Sequence, residues 1–548
     1  FKRYTFNAKV DTKVTDWLKI GANVNFSHRD YSGVSANFDY ATKATPMATY
    51  DFDTPGYYRM EFANESAMKD PLQYLAIDNS DLRNTLFLTL TGRVDVPFIK
   101  GLSYDFNYST TRYHRDNNTF YPADVDGGFI NNGKAVKEPE NENAYLFNHI
   151  FAYQREFGDH SLNATFVYTT EKRWGDKTTA TAESFDTDNL GYNNLGIGTL
   201  FTLASTAWQE SNVGLMGRIN YNYKNRYLLT ATIRRDGSSK FGSNNRYGNF
   251  PSFSVGWNIA EEDFVKNNVS WLDQLKLRGG YGVLGNQEID NYQYVSVVTT
   301  GINYPDGKSG LIQGAFPKTF ANPDIKWEET AMTNVGIDFM ALRNRLTLTA
   351  DWYVKNTKDI LLNVPIPISS GGANDPIQNA GKIRNQGFEF NIGWNESLNK
   401  DLSYGVSFLG TYNKNEVIAL GEGVQPIESG TIHNGTYTSR TLAGYPIGGF
   451  WLIPTDGYFN SAEEVQAYQK DGVLIQPSAE PGDIRFKDTN NDGTINDDDR
   501  VYSGSPFPKF TYSINGNITY KNVDFSIGFQ GVAGNKIYNA TRLELTDV

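Results

Sequence analysis

The chain has 548 residues, no cysteine, 50 Lys+Arg against 62 Asp+Glu, and 14% aromatic residues within an apolar total of 39%. Without cysteine there is no disulfide, thiol nucleophile or thiolate metal site. The acidic balance excludes sequence-independent nucleic-acid binding, and the aromatic content is incompatible with a disordered chain. No apolar run approaches the roughly 18 residues that a membrane-crossing helix needs.

A period of two runs through the chain instead. Leu18, Ile20, Ala22, Val24 and Phe26 alternate with Lys19, Gly21, Asn23, Asn25 and Ser27. Leu102, Tyr104, Phe106 and Tyr108 alternate with polar residues, as do Phe388, Phe390, Ile392 and Trp394, and Phe510, Tyr512, Ile514, Ile518 and Tyr520. Such alternation makes a strand with one apolar and one polar face. About ten residues suffice to cross a bilayer at a tilt.

Sixteen strands are predicted, at 3–11, 16–28, 85–97, 102–113, 144–156, 161–171, 211–223, 227–236, 250–260, 273–284, 331–341, 346–356, 386–395, 401–413, 510–520 and 522–531. The connections between them alternate without a break. Those at 12–15, 98–101, 157–160, 224–226, 261–272, 342–345, 396–400 and 521 are short, and those at 29–84, 114–143, 172–210, 237–249, 285–330, 357–385 and 414–509 are long. Outer-membrane barrels have short periplasmic turns and long extracellular loops, whereas a soluble sandwich has no reason to gather its long loops at one end. No fixed-period repeat is present, which counts against propellers and solenoids. The expected fold is all-β, a transmembrane antiparallel β-barrel. The first strand, ending in the turn at 11–15, is expected to run toward the periplasm. Trp17, Tyr113, Tyr153, Trp257, Trp352, Trp394 and Tyr520 fall near predicted strand ends, where amphipathic rings suit headgroup depth.

Catalytic signals are poor. His28, His114, His149, His160 and His433 are scattered, with no H-E-x-x-H pair and no G-x-S-x-G elbow. Gly307-Lys308-Ser309 resembles the end of a phosphate-binding loop, but Ile302 stands where that motif needs glycine. No catalytic residue, no transport cofactor and no enzymatic activity are expected. One stretch has specific chemistry: 488–499 follows the calcium-loop pattern D-x-[DN]-x-[DN]-G. Asp488, Asn490 and Asp492 would give side-chain oxygens, Thr494 its carbonyl, and Asp499 the contact at the twelfth position, while Gly493 permits the sharp turn. The competing reading is a plain Asn/Asp/Gly turn. Nearby, 461–470 reads as a short helix with Ser461 as N-cap and Glu464 completing a capping box, and 482–487 reads as a strand. The loop 414–509 is therefore expected to be a small structured extracellular subdomain.

Several separated motifs resemble SusC/RagA-like TonB-dependent transporters. They are the run from Asn225 to Gly242 with Arg246-Tyr247-Gly248 and Pro251-Ser252-Phe253-Ser254-Val255-Gly256-Trp257, then Leu277-Arg278-Gly279-Gly280-Tyr281-Gly282 with Gly285-Asn286-Gln287. Asn322-Pro323-Asp324-Ile325-Lys326-Trp327-Glu328, Asn379-Ala380-Gly381 with Asn385-Gln386-Gly387-Phe388-Glu389, and Gly482-Asp483-Ile484-Arg485-Phe486-Lys487-Asp488 with Pro506-Phe507-Pro508-Lys509-Phe510 follow in the family's order. The resemblance implies a barrel of about 22 strands filled by an N-terminal plug, energised by TonB and covered by a SusD-like surface lipoprotein, importing oligosaccharides or, in some members, peptides. Against that pattern, 1–548 is expected to be the barrel domain, incomplete at both ends and lacking the plug and TonB-binding segment. The alternatives are a siderophore-type receptor or a passive porin-like barrel without a lid. Aromatic-polar stretches at 51–58, 113–121 and 449–459 offer the chemistry of glycan contact.

Overall fold

The computed structural model describes residues 1–548 apart from 37–48, 51–57, 60–71, 126–127, 129–130, 306, 308–310, 365, 367–373, 422–423, 425, 432–436 and 543–548. Sixteen strands form one sheet in chain order. They are β1 (Lys2–Lys13), β2 (Leu18–Asp30), β3 (Asp78–Asp95), β4 (Leu102–Tyr121), β5 (Lys134–Phe157), β6 (His160–Phe185), β7 (Gly198–Tyr223) and β8 (Tyr227–Ser238). They continue with β9 (Tyr247–Asn258), β10 (Leu272–Asn286), β11 (Glu328–Ala341), β12 (Leu346–Lys358), β13 (Lys382–Ser397), β14 (Leu402–Ala419), β15 (Phe510–Tyr520) and β16 (Val523–Ala533). Each predicted segment falls on one of them.

The strands outrun the prediction on the long-connection side. β4 continues to Tyr121, β5 begins at Lys134, β6 reaches Phe185 and β7 begins at Gly198. The connections expected at 114–143 and 172–210 shrink to 122–133 and 186–197. The stretch 113–121, expected as a loop, is therefore strand. Residues 137–143 (KEPENEN) are polar on both faces, so the two-residue rhythm fades there while the ladder continues through Arg115↔Glu140 and His114↔Asn141.

The chain divides into two compact units. The first comprises Phe1–Arg155, Asn163–Gly217 and Arg234–Ser239. Its register aligns Phe6, Phe26 and Leu86 on one face, and Asn23 with Thr89 on the other. At the far end of β4 and β6, Phe120, Ala135, Ala182 and Phe185 form a buried cluster, with Phe120 meeting Phe185 edge-on at 5.4 Å.

The second unit comprises Glu156–Leu162, Arg218–Ile233 and Lys240–Val548. One register row reads Trp257, Leu277, Ile337, Ala350, Phe390, Gly410 and Tyr512. The neighbouring row, on the opposite face, reads Gly256, Arg278, Gly336, Asp351, Glu389 and Thr411. The apolar rows stand open to solvent, Trp352 at 49% and Phe388 at 45% exposure. Contiguous exposure of that kind marks a surface made for something other than water. Tyr153, Trp257, Trp394 and Tyr520 lie on the apolar face near short turns, as headgroup-level rings would. Tyr113 does not: it pairs with Thr85 on the polar face.

The long connection before β15 is structured. Ile427–Thr431, Tyr437–Thr441, Gly449–Leu452 and Val501–Gly504 form a four-stranded sheet. The strand expected at 482–487 is Ile484–Phe486, paired with Thr455–Tyr458. The expected helix spans Ala462–Ala467 and stops short of 470, because Gln469–Lys470 turns back on Val473–Leu474 around Asp471 and Gly472, both at positive φ. Its box is one-sided. Ser461 accepts from the Glu464 N–H, but the Glu464 carboxylate accepts from the Asn460 N–H, one residue before the cap.

Candidate functional site

On the polar face of the first unit, Asp81 is buried between two arginines. Arg83 donates to it through Nε (2.9 Å) and Nη2 (2.5 Å), and Arg115, from the next strand, through Nε (3.0 Å) and Nη2 (2.9 Å). The Arg83 guanidinium also lies 4.2 Å from the Tyr31 ring centre. The backbone of Asp81 holds the chain leaving β2, with Tyr31 N–H donating to its carbonyl and its N–H donating to Ser32 Oγ.

The second unit has the converse arrangement. Arg278 donates to Asp351 through Nη1 (2.5 Å) and Nη2 (2.6 Å), and to Asp338 through Nε (3.2 Å). Asn334 closes the ring by donating to Asp351. Gly336 lies between them in register, and a Cβ there would come within 2.5 Å of Asp351 Oδ1 and 2.6 Å of Arg278 Cζ. The missing side chain is what lets Arg278 reach across two strands.

The motifs near the long connections of this unit interlock. Phe241, Phe250, Ile289, Ile325 and Trp327 form one buried cluster. Trp327 Nε1 donates to the Arg246 carbonyl, Asn245 to the Asp324 carbonyl, and Asn379 both accepts from Lys326 N–H and donates to its carbonyl. Residues quoted separately in the sequence are thus one packed knot. Near the short turns, Glu262 accepts from Tyr227 Oη (2.6 Å), Trp257 Nε1 (3.0 Å) and Arg226 Nη1 (3.3 Å). The Tyr227 and Trp257 hydrogen bonds hold its carboxyl below the ordinary glutamate value.

In the loop subdomain a polar pocket of about 230 Å³ is walled by Glu428, Arg440, Trp451, Asp497 and Arg500. Arg440 pairs with Glu428 (2.6 Å) and Arg500 with Asp497 (2.8 Å), while Arg500 Nη1 also donates to the Tyr437 and Trp451 carbonyls. Tyr445 packs against Trp451 and Tyr502 at 4.9 and 5.1 Å. Burial pushes the Tyr502 phenol up, and the Trp451 Nε1 is buried with no hydrogen-bond partner among the described residues. Trp451 lay within the stretch 449–459 expected to offer glycan chemistry. Glu428, Arg440 and Arg500 had no sequence signal, because only the register of the four-stranded sheet gathers them. Of the stretch 51–58, residues 51–57 lie outside the described residues.

The predicted calcium-loop residues lie in one turn. Asp488 accepts from the N–H groups of Asp492 (3.0 Å) and Gly493 (2.8 Å), and Asn490 Oδ1 also accepts from Asp492 N–H. Asp492 accepts from Thr494 N–H and Oγ1, both at 2.8 Å, which holds its carboxyl below the ordinary aspartate value. Gly493 has φ +94, as the sharp turn requires. Asp499 is fully buried and caps the short 3-10 turn Asp497–Asp499, accepting from Asn496 N–H (2.9 Å) and from Thr489 N–H (2.6 Å). That capping box was not anticipated. Among the described residues no three His, Asp or Glu side chains are gathered as a metal cluster. His28 and His114 meet Asn84 and Asn141, and His149 and His160 meet the hydroxyls of Tyr104 and Tyr221. His433, Lys308 and Ser309 lie outside the described residues.

Residues 16–542 match the family described as TonB dependent receptor-like, beta-barrel. The chain belongs to that family. TonB-dependent receptor barrels stand in the outer membrane, with an apolar outer face and a polar inner one; the two faces of this sheet have that division. The TonB-dependent receptor P3 of Formosa agariphila is 30% identical over 559 residues, covering 99% of this chain and 55% of that protein. The TonB-dependent receptor SusC of Bacteroides thetaiotaomicron is 34% identical over 345 residues, covering 61% of this chain and 32% of that protein. The fold matches the solved RagAB peptide transporter with a TM-score of 0.79 at 22% identity, over 98% of this chain and 58% of that one. The chain thus spans about half the length of the curated TonB-dependent receptors that it matches end to end.

Proposed function

We propose that this chain is the barrel portion of an outer-membrane importer of SusC/RagA type, which takes up oligosaccharides or peptides using energy delivered through TonB. The long connections face the cell exterior, and a SusD-like lipoprotein covers them. The observation that carries this reading is the two-faced sheet. Its apolar rows suit lipid, and its polar rows carry guanidinium, carboxylate and amide groups that suit the passage of a hydrophilic solute. The wall is a conduit and not a catalyst. The pocket beside Trp451, with indole, hydroxyl, carboxylate and guanidinium groups within one small volume, offers the mixture that binds sugars or peptide backbones. The RagAB transporter, whose fold this chain shares, carries peptides, and the peptide alternative is kept beside the oligosaccharide one.

The test is purification of the full-length protein in detergent from native outer membranes, with every co-purifying chain identified by intact mass. A SusD-sized lipoprotein is expected. Its absence, together with substrate uptake unchanged when TonB is deleted, would leave the passive-porin reading. A siderophore-type receptor would show TonB-dependent uptake of a ferric chelate without a lipoprotein.

The loop 488–499 is also proposed to take a structural calcium ion through Asp488, Asn490, Asp492, the Thr494 carbonyl and Asp499. Chelation with EGTA is then expected to increase proteolysis within 484–501 and leave the wall intact. An unchanged cleavage pattern would mean that the turn is held by its own hydrogen bonds.

A further inference from the structure

On the apolar face of the first unit, two adjacent register rows cross five strands. One reads Phe6, Phe26, Leu86, Arg112 and Asn143, and the next, further from the short turns, reads Tyr4, His28, Asn84, His114 and Asn141. On the other side of them the same face carries Val24, Leu88, Leu90, Tyr108, Phe106 and Phe147. The face therefore changes from apolar to polar at one height on several neighbouring strands. Arg112 stands about ten residues along β4 from its short turn, the length that crosses the hydrocarbon layer at a barrel's tilt. Its guanidinium belongs at headgroup depth.

The site is concave. A groove of about 350 Å³ has Phe26 and Leu86 at its apolar end and Asn84, Arg112, His114 and Asn141 around its polar end. The Arg112 side chain is exposed and makes no hydrogen bond or ion pair with the described residues. That sets it apart from the fringe of the apolar face in the second unit. There Arg384 donates to Asn356 (2.8 Å), Lys414 pairs with Glu416 (2.6 Å) and Lys358 with Glu329 (2.9 Å). One row beyond His114 carboxylates outnumber cations, with Lys2 opposite Asp30 on the first strand. Asp30 and Asp116 flank Leu82, and Asp176 accepts from Asn141 (3.1 Å). From the membrane outward the order is apolar floor, unpaired cation, neutral amides and imidazoles, then carboxylates. Acyl chains, a phosphate and hydroxyl-rich sugar occur in that order in the phosphorylated glycolipid of an outer leaflet.

We propose that this groove binds one phosphorylated glycolipid of the outer leaflet, its phosphate on Arg112 and its sugar hydroxyls against Asn84, Asn141 and His114. The proposal rests on the outer-membrane reading above. The full-length transporter is first fractionated, and a wild-type protein found outside the outer membrane would sink that reading itself. The protein, delipidated in mild detergent, is then titrated by native mass spectrometry with monophosphoryl lipid A, the same lipid dephosphorylated, and phosphatidylglycerol. The wild type is expected to prefer the phosphorylated lipid A by at least about tenfold, the worth of one charge-assisted hydrogen bond. Arg112→Gln should erase that preference, Arg112→Lys should keep part of it, and Arg384→Ala should leave it whole. Phosphate-blind binding by a wild type correctly placed in the outer membrane would overturn the proposal alone. So would equal binding of phosphatidylglycerol, or a second copy of the chain held in place of lipid.

Discussion

Each unit carries one charge cluster on its polar face, and the two clusters are of opposite composition. In the first unit one carboxylate, Asp81, sits between two guanidinium groups; in the second one guanidinium, Arg278, sits between two carboxylates. The first carries a net positive charge and the second a net negative one, although each has the same bidentate geometry. Their settings differ as well. Asp81 is four residues into β3 and ties down the chain leaving β2 through Tyr31 and Ser32. Arg278 is mid-strand and links three strands of the wall through the space left by Gly336. The central group is the one whose loss leaves like charges facing each other, so the vulnerable residue is an aspartate in one cluster and an arginine in the other.

The largest effect is expected from Arg278→Ala, which leaves Asp338 and Asp351 unpaired and should cost about 2–3 kcal/mol, the part-exposed setting keeping it below a fully buried pair. It would be read as a lower thermal midpoint of the full-length protein in detergent. Adding Asp351→Asn should recover part of the loss; no recovery would mean that Arg278 acts through packing alone. Gly336→Ala should follow at about 1–3 kcal/mol by forcing the guanidinium away from Asp351, and an unshifted midpoint would show that the strands adjust freely. Asp81→Asn should cost about 1–2 kcal/mol. Its readout is local: faster proteolysis after β2, where the Arg278 variants leave cleavage unchanged. If both sets of variants are cleaved alike, the distinction between loop anchor and wall tie fails. Ser461→Ala, outside both clusters, should cost about 1 kcal/mol as a lost N-cap, seen as faster amide exchange in Ala462–Ala467 only.

The smallest effect concerns Glu464, whose carboxyl is held below its ordinary value of 4.5 by the Asn460 N–H. A lowered folded-state value means that its contribution is complete at neutral pH and disappears as pH falls through and below 4.5. Exchange in the helix should therefore differ between wild type and Glu464→Gln at pH 7 and converge in acid. A difference that persists once the carboxyl is fully protonated would assign the effect to packing.

The wall was legible because its physics is local. A strand with lipid on one side and water on the other must alternate, and all sixteen segments were found from that rhythm. Where both faces are polar, as where Asn141 and Asn143 stand on the apolar side of Glu140 and Glu142, the rhythm has no cause, and the strand ends were missed. The clusters were not legible for a different reason. Asp81 and Arg115 are 34 positions apart and Arg278 and Asp351 are 73, so only the register brings them together. Gly493 could be read from its motif, since a sharp turn needs a residue that accepts positive φ. The capping work of Asp499 could not, because the calcium-loop pattern and an Asn-x-x-Asp box use the same letters at the same spacing.

The alternation has a consequence before folding begins. A chain in which every second residue is polar has no stretch that a helix-inserting machine in the inner membrane would retain. The same residues, sorted by the pleat, become a lipid-facing wall once neighbouring strands pair. Export and membrane insertion make opposite demands on hydrophobicity, and a two-residue period meets both by hiding the apolar face in one dimension and revealing it in two.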